Sequence, residues 1–405
     1  MSGRIREINN RKGLREFVGF PFELYKGNEF WVPPLVRGEV QLLNPASNPA
    51  FKLLHGRYWV AEDPGGHIQG RIAAYIPKSG GRDRPARFGY LDFVNTPEVA
   101  RSLLETVEQW AKEEGFSSVE GPVGVTSFDS SALLVEGFDR LPTSASSYNF
   151  PYYQEHLEGL NYQKAVDYIE FEIPDLGKVN ERVERLASYT MRRKGVRLLE
   201  LKGRRELRRL APAVFDVINE AYRHLHDFEP LTHEQVAFYT EQYFAYLDPA
   251  LIKVLVDEGG EIVAVGISMP SLSRGLQAAR GKLLPLGIFK LMRKVRKTDT
   301  LDLYLVAVRK KWQKAGLPAI LMHETHKSML SRGMTRAETN GELETNEAVQ
   351  ALWRSYGAHR RSRSCDAGGA RAVADAPQGP RGLGPANARA VLADAGAVVA
   401  IEKCN

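Results

Sequence analysis

The twelve residues Val308-Arg309-Lys310-Lys311-Trp312-Gln313-Lys314-Ala315-Gly316-Leu317-Pro318-Ala319 combine the residue types that bind a phosphorylated ligand. They lie between an apolar run and the start of a helical pattern. Gly316 lets the backbone approach a ligand closely, and unpaired amides at the following helix start favour a phosphate or pyrophosphate. Lys310, Lys311 and Lys314 add positive charge at the same place. Taken alone, the loop also reads as an ordinary strand-to-helix turn on a solvated basic surface. His323-Glu324-Thr325-His326 spaces its histidines i, i+3, one residue short of His-Glu-x-x-His, so no metal is expected there. Gly281 to Lys297 is both apolar and basic. The favoured reading is an insertion that packs its apolar side on the domain and solvates its lysines. Contact with RNA phosphates or an anionic membrane surface is the alternative, and no RNA-binding motif with interleaved aromatics accompanies it.

Two α/β units of similar order position these residues. Tyr58–Asp63 and Ile68–Ile76, joined by Pro64-Gly65-Gly66-His67, predict a β-hairpin. Leu251–Val256 and Glu261–Ile267 predict a second one of the same design. In the first unit a strand at Gly89–Val94 precedes a helix with Thr96 as N-cap and Pro97 at its first position. Val99, Leu103, Val107 and Trp110 give that helix an apolar stripe ended by Gly115, and Phe116–Glu120 reads as a strand. In the second unit Leu301–Val308 is a strand, Pro318–Arg332 a helix and Met334–Thr339 a strand. A charged helix, Lys178–Arg193, joins the two. In a helix over Ala211–His224, Asn219 and Tyr222, with His226 just beyond, are candidates to line an acceptor pocket, against the plainer reading of a polar helix face.

The chain has 405 residues, 26% charged and 43% hydrophobic, which excludes wholesale disorder and suggests two domains. No apolar run approaches the ~18 residues of a membrane span, and the N-terminus lacks the apolar core of a secretory signal, so a cytoplasmic protein is expected. Both cysteines, Cys365 and Cys404, lie in the last 41 residues, which excludes a disulfide scaffold or a cysteine-based zinc site in the body. From Asp366 to Asn405 there are 12 Ala, six Gly, three Pro and no aromatic residue. Residues 359–405 therefore read as an atypical tail, either natural and disordered or the product of a shifted reading frame, the second being favoured. The tail contributes +3 of the net charge of +6.

With Asn346-Glu347-Ala348-Val349-Gln350-Ala351-Leu352-Trp353-Arg354-Ser355-Tyr356-Gly357 following the last strand, the sequence resembles the GNAT acyltransferase superfamily. Gln313 and Gly316 match that family's coenzyme loop, and Asn346, Leu352 and Gly357 match its next motif. Pro318 and Val349 depart from it. Over about residues 10 to 358 the chain is similar to a family of bacterial tandem GNAT-like proteins. Phe22-Glu23-Leu24-Tyr25-Lys26-Gly27-Asn28-Glu29-Phe30-Trp31-Val32-Pro33-Pro34-Leu35 is the most specific piece, supported by Tyr148-Asn149-Phe150-Pro151-Tyr152-Tyr153 and Gly281-Lys282-Leu283-Leu284-Pro285.

The resemblance implies two tandem α/β (α+β) GNAT-like domains, each a mixed, twisted sheet flanked by helices. They would span residues 1–177, without a phosphate loop because Asn95-Thr96-Pro97-Glu98 has no glycine, and 178–358, with the acyl-CoA loop. It implies acetyl-CoA or another acyl-CoA as substrate, held by the backbone of Ala307 and Val308 and by Lys311, Gln313, Lys314, Ala315, Gly316, Leu317 and Ala319, with Asn346 and Trp353 nearby. Trp353 stands where the family's tyrosine acts as general acid, and an indole N–H donates a hydrogen bond without releasing a proton; Tyr356 is the substitute. Glu338 is the first candidate base, with Glu342 and Glu344 as further acids, and for each of the three a solvated surface carboxylate is the plainer reading. The implied activity is acyl transfer to a small-molecule or peptide amine, with no DNA partner and no metal. A non-catalytic acyl-CoA-binding scaffold and an aminoacyl-tRNA-dependent transferase are the alternatives. The family also continues beyond the glycine of its last motif into two strands that residues 359–405 do not suggest, so an incomplete second sheet is expected.

Overall fold

The computed structural model describes residues 4–177, 181–225, 228–243 and 247–369. The first half opens with β1 (Arg4–Glu7), α1 (Arg11–Leu24) and α2 (Val36–Leu42). The first hairpin, β2 (Leu54–Glu62) and β3 (Ile68–Pro77), turns on Asp63, whose carboxylate accepts the Gly65 and His67 amides at 2.9 Å each. Then come β4 (Ala86–Phe93) and α3 (Pro97–Glu113), whose stripe of Val99, Leu103, Val107 and Trp110 is buried. Gly115 takes φ 84° just beyond α3, and the Phe116 amide bonds back to Ala111. That cap consumes the residues expected to begin a strand, and β5 is only Val119–Gly121. β6 (Leu133–Glu136), α4 (Tyr152–Gly159) and β7 (Gln163–Ile173) complete the half.

The second half runs through α5 (Glu181–Lys194), β8 (Arg197–Leu198), α6 (Arg204–Tyr222) and α7 (His233–Tyr243). α6 begins seven residues before the expected helix and continues through Pro212. Leu207, Ala211, Val214 and Ile218 carry one buried stripe across the proline, and this packing outweighs an interior proline's cost of ~3 kcal/mol. The second hairpin is β9 (Ile252–Val256) and β10 (Ile262–Pro270). α8 (Ser273–Ala279) and α9 (Gly287–Val295) are inserted before β11 (Thr300–Val308), α10 (Leu317–Leu330) and β12 (Arg336–Thr339). The described chain ends with β13 (Glu342–Leu343), α11 (Glu347–Ser355) and β14 (His359–Gly369).

One mixed sheet spans both halves in the order β1-β2-β3-β4-β5-β14-β7-β12-β11-β10-β9-β8, with β6 on β14 and β13 on β7. Neighbours are antiparallel except β4–β5 and β11–β12. Those two parallel pairs are each bridged by a helix, α3 or α10, and each is short. Ala86 and Arg87 meet Val119 and Glu120, and Thr300–Leu303 meet Arg336–Thr339, before the strands part.

Residues 359–369 correct the expectation of a tail without a strand. β14 pairs with β7 over most of its length, with β5 through Ala367–Gly369, and with β6. The sheet is therefore complete at its centre, and Cys365 lies in the core, where burial pushes its thiol up to about 11. Residues 370–405, including Cys404, lie outside the described residues. The exchange is reciprocal: β7 of the first half pairs with β12 of the second, and β14 of the second half pairs with β5 of the first. Ala367 sits in the first half's core with Phe116, Val119 and Tyr162. Ala367→Asp, which buries an unpaired carboxylate there, is expected to lower stability by about 3–5 kcal/mol. The shift should be visible in urea unfolding followed by the fluorescence of Trp59 and Trp110, although the substitution lies in the last strand.

Candidate active site in the second half

Beyond Leu303 and Thr339 the edge of β11 is no longer paired to β12. The Asn340 amide reaches the Leu303 carbonyl, and its side-chain Nδ2 reaches that of Tyr304 at 3.4 Å. The Val306 carbonyl accepts from the Tyr222 hydroxyl at 3.0 Å. Arg309 donates its amide to Val263 of β10, so by strand alternation the backbone groups of Tyr304, Val306 and Val308 face the parted side. Ala307 and Val308, in the terminal turn of this edge, point their side chains into cores on opposite faces.

The loop then makes a 3-10 turn, Lys310–Trp312, and reaches Gly316 at φ 75°, the residue before α10. That backbone conformation strains any side chain other than glycine. The Lys310 amide donates to Glu220 at 2.9 Å, and Arg309 pairs with Glu220 at 2.5 Å. Lys311 is held by Glu261 at 2.9 Å. Lys310 and Lys314 are exposed and make no ion pair among the described residues. Gln313 and Ala315 are half-buried, Leu317 is fully buried, and the Ala319 amide is used by the Gly316 carbonyl. Glu220 thus places a carboxylate on a loop amide beside a guanidinium, partners of the kind a phosphate takes.

The face of the sheet away from α10 carries a buried acid cluster. Leu301 and Ala337 pack with α10 residues, so alternation turns Asp302 and Glu338, register partners on β11 and β12, to the other face. Asp302 is fully buried, and neither carboxylate oxygen has a well-formed hydrogen bond among the described residues. Burial, then the Glu338 charge, raises its pKa well above the usual carboxylate range. Burial likewise raises Glu338, against the Arg361 guanidinium 3.0 Å from it. Glu170 of β7 stands beside them and accepts from Ser362 at 2.6 Å. Residues 141–146 of the first half cover this face. Ser144 pairs with Tyr304, Thr143 donates to Asn340 at 3.0 Å, and Arg361 donates to the Leu141 carbonyl.

Glu338 is thus mostly withdrawn from solvent, its side chain 15% exposed, and not a solvated surface group. Glu342 is half-buried, and desolvation pushes its carboxyl up to about 8, with the Trp353 indole as its polar neighbour. Glu344 is partly exposed and paired with Arg363 at 2.9 Å. Asn346 caps α11, accepting the Val349 amide at 3.4 Å, and Trp353 is buried with Met322 and Met329 of α10. Tyr356 joins that same core. Its buried hydroxyl has no hydrogen-bond partner among the described residues, and burial pushes it up to about 12. Glu338 and Tyr356 consequently lie on opposite faces of the sheet. Asn219 clamps the Leu231 backbone through both its oxygen and its nitrogen, and His226 lies outside the described residues. His326 bonds the Leu176 carbonyl at 2.7 Å. Sequence reasoning missed Asp302, Glu170 and Arg361. The alternation Leu301-Asp302-Leu303-Tyr304-Leu305 was the available signal, since it sets an acid on one face of an otherwise apolar strand.

In the first half the equivalent opening is filled by the chain itself. The Val123 amide bonds Phe88 at 2.7 Å, and a Cβ on Gly89 would lie 1.8 Å from the Val123 carbonyl. Farther along β4, the Phe93 amide and carbonyl are taken by the hydroxyls of Tyr153 (3.0 Å) and Tyr152 (2.6 Å).

Comparison with known proteins identifies the fold. No family model matches the chain. It is similar to Protein YghO of Escherichia coli K12, 27% identical over 368 residues that span 88% of this chain and 92% of that protein. It is also similar to the bacterial ceramide synthase of Caulobacter vibrioides, 26% identical over 356 residues, 85% of this chain and 91% of the relative. A tandem GNAT protein from the clavulanic acid biosynthesis pathway matches its fold with a TM-score of 0.54, covering 90% of this chain and 98% of that one at 11% identity. A GCN5-related glucosamine N-acetyltransferase region of a fungal multi-domain enzyme gives 0.53 over 90% of this chain and 38% of its own, at 13% identity. The chain has the tandem GNAT fold.

The half-buried Glu342 gives a pH test. Its folded pKa of about 8 lies above the unfolded value of 4.5, so between those values the folded state holds a proton the unfolded state has released. Stability therefore falls as pH rises through that window. Glu342→Gln removes the effect: the variant should match wild type near pH 4 and exceed it in urea midpoint at pH 8.

Proposed function

We propose that the protein is an acyl-CoA-dependent N-acyltransferase acting in the cytoplasm, with its reaction in the second half and a long-chain amine as acceptor. The observation that carries this reading is the contrast between the halves. The β11 edge is met by the side chains of Asn340 and Tyr222 and leads to a glycine loop whose Lys310 and Lys314 make no ion pair among the described residues. The β4 edge is filled by its own main chain and two tyrosines. The acceptor class is supported by the relative named a ceramide synthase, since a ceramide is an amide of a long-chain amino alcohol.

In this reading acyl-coenzyme A, bound as substrate, supplies the activated thioester. The backbone of Val306 and Val308 holds its pantetheine arm, and the loop Lys311–Ala319, through the amides of Lys314, Gly316 and Leu317 that bond no backbone carbonyl among the described residues and through the side chains of Lys310 and Lys314, holds its pyrophosphate. The Asp302–Glu338 pair acts as base. Two adjacent buried carboxylates do not both ionise at neutral pH, and the one that is charged takes the proton an ammonium must lose before attack. Arg361 keeps Glu338 anchored. Tyr356 lies across the sheet from Glu338 with its hydroxyl in the core, so the leaving thiolate takes its proton from the attacking amine or from water, since neither Tyr356 nor the indole of Trp353 supplies one there. The first half serves as a wall, covering the acids with residues 141–146.

Calorimetric titration with coenzyme A is expected to show binding that Gly316→Glu abolishes; equal binding by the variant would refute the loop assignment. With a long-chain acyl-CoA and amine, Asp302→Asn and Glu338→Gln are each expected to lower kcat/KM by about 10²–10⁴ while coenzyme A binding stays unchanged. Binding without turnover by the wild type would instead support the scaffold reading, which the indole at position 353 favours.

A further inference from the structure

The inserted segment between β10 and β11 is only half accounted for by packing. As expected from its sequence, one side of α9 is buried: Ile288, Leu291 and Val295 pack against α8 and against Val32 and Leu35 of the first half. The other side departs from that expectation. Leu284, Leu286 and Phe289 are 76%, 62% and 70% exposed, and Met292 is exposed beside them. They are four of the seven large apolar side chains that the described residues leave exposed, gathered within nine positions. A groove of about 420 Å³ runs between Phe289, Met292, Arg293 and Arg296.

Around this patch stand Lys282, Lys290, Arg293, Lys294, Arg296 and Lys297, all exposed. The stretch from Gly281 to Lys297 contains no acidic residue, and none of these six cations makes an ion pair among the described residues. An apolar tip ringed by unpaired cations matches the interface of an anionic bilayer, where the apolar side chains enter the acyl boundary and the cations meet lipid phosphates. A second copy of the chain is a poor occupant, because a self-complementary contact would bring two such sets of cations together. RNA would use the charge and leave the leucines in water.

We infer that residues Lys282–Lys297 form a docking surface for an anionic lipid bilayer. The inference stands apart from the proposed reaction, but what it supplies rests on that reading. The segment joins the Pro270 end of β10 to the Thr300 end of β11, whereas the coenzyme loop leaves the Val308 end. A nine-residue strand separates the two by roughly 25–30 Å. The bilayer would thus face the end of the site opposite the coenzyme, and a lipid-borne amine would enter from there.

Flotation of the full chain with vesicles tests the surface directly. Binding to phosphatidylglycerol–phosphatidylcholine vesicles and little binding to pure phosphatidylcholine are expected. The double variant Leu286→Ser/Phe289→Ser should lose at least ten-fold in partitioning, as should Arg293→Glu/Lys297→Glu, with far-UV circular dichroism and coenzyme A binding unchanged. Phe289→Trp should show a blue-shifted emission on anionic vesicles. No flotation with anionic vesicles would overturn the inference. So would flotation indifferent to the serine variants, or a change of oligomeric state caused by them. If flotation holds but no acyl transfer is found, the reaction fails and the docking surface stands.

Discussion

The ladder between β7 and β14 is the constraint on which the rest of the molecule depends. Each strand leaves its own half and closes the sheet of the other, so neither half buries its central backbone groups alone. The same ladder builds the site. β7 brings Glu170, and β14 brings Ser362 and Arg361, to the acids carried by β11 and β12. The strand that completes the first half's core thus also supplies the cation beside Glu338.

The two halves treat buried charge differently. In the first, Asp92 pairs with Arg71 at 2.7 Å and accepts the Tyr25 hydroxyl at 2.7 Å, while Arg71 also reaches the Phe17 carbonyl. That acid is compensated as a structural group must be. Asp302 is as deeply buried without comparable partners, and the charge that acts on it most strongly is that of another carboxylate, Glu338. An acid held in that condition is a reservoir for a proton, and such clusters concentrate where chemistry occurs.

The hairpins and their helices were legible because alternation, an Asp- or Gly-bearing turn and a proline at the first helical position leave strong local marks. β14 was not. Its run Ala367-Gly368-Gly369 resembles a disordered tail, yet a Cβ on Gly369 would lie 2.8 Å from the Tyr162 ring, so a strand threaded through the centre of the sheet requires small residues there. The arginines before it looked like solvated charge, yet Arg361 and Arg363 meet acids from other elements. The loop proposed to hold the coenzyme is marked in the sequence by a glycine among lysines. Asp302 left a mark in the alternation of its strand, but its burial and the exposed side of α9 became visible only in three dimensions.

The central claim is that the second half forms an amide. Mass spectrometry of products from the purified chain, incubated with a long-chain acyl-CoA and a long-chain amino alcohol, tests it most directly. The account predicts the N-acyl amide together with stoichiometric free coenzyme A, and loss of both in Asp302→Asn. Coenzyme A bound with no amide formed, or an amide formed equally well by that variant, would contradict it.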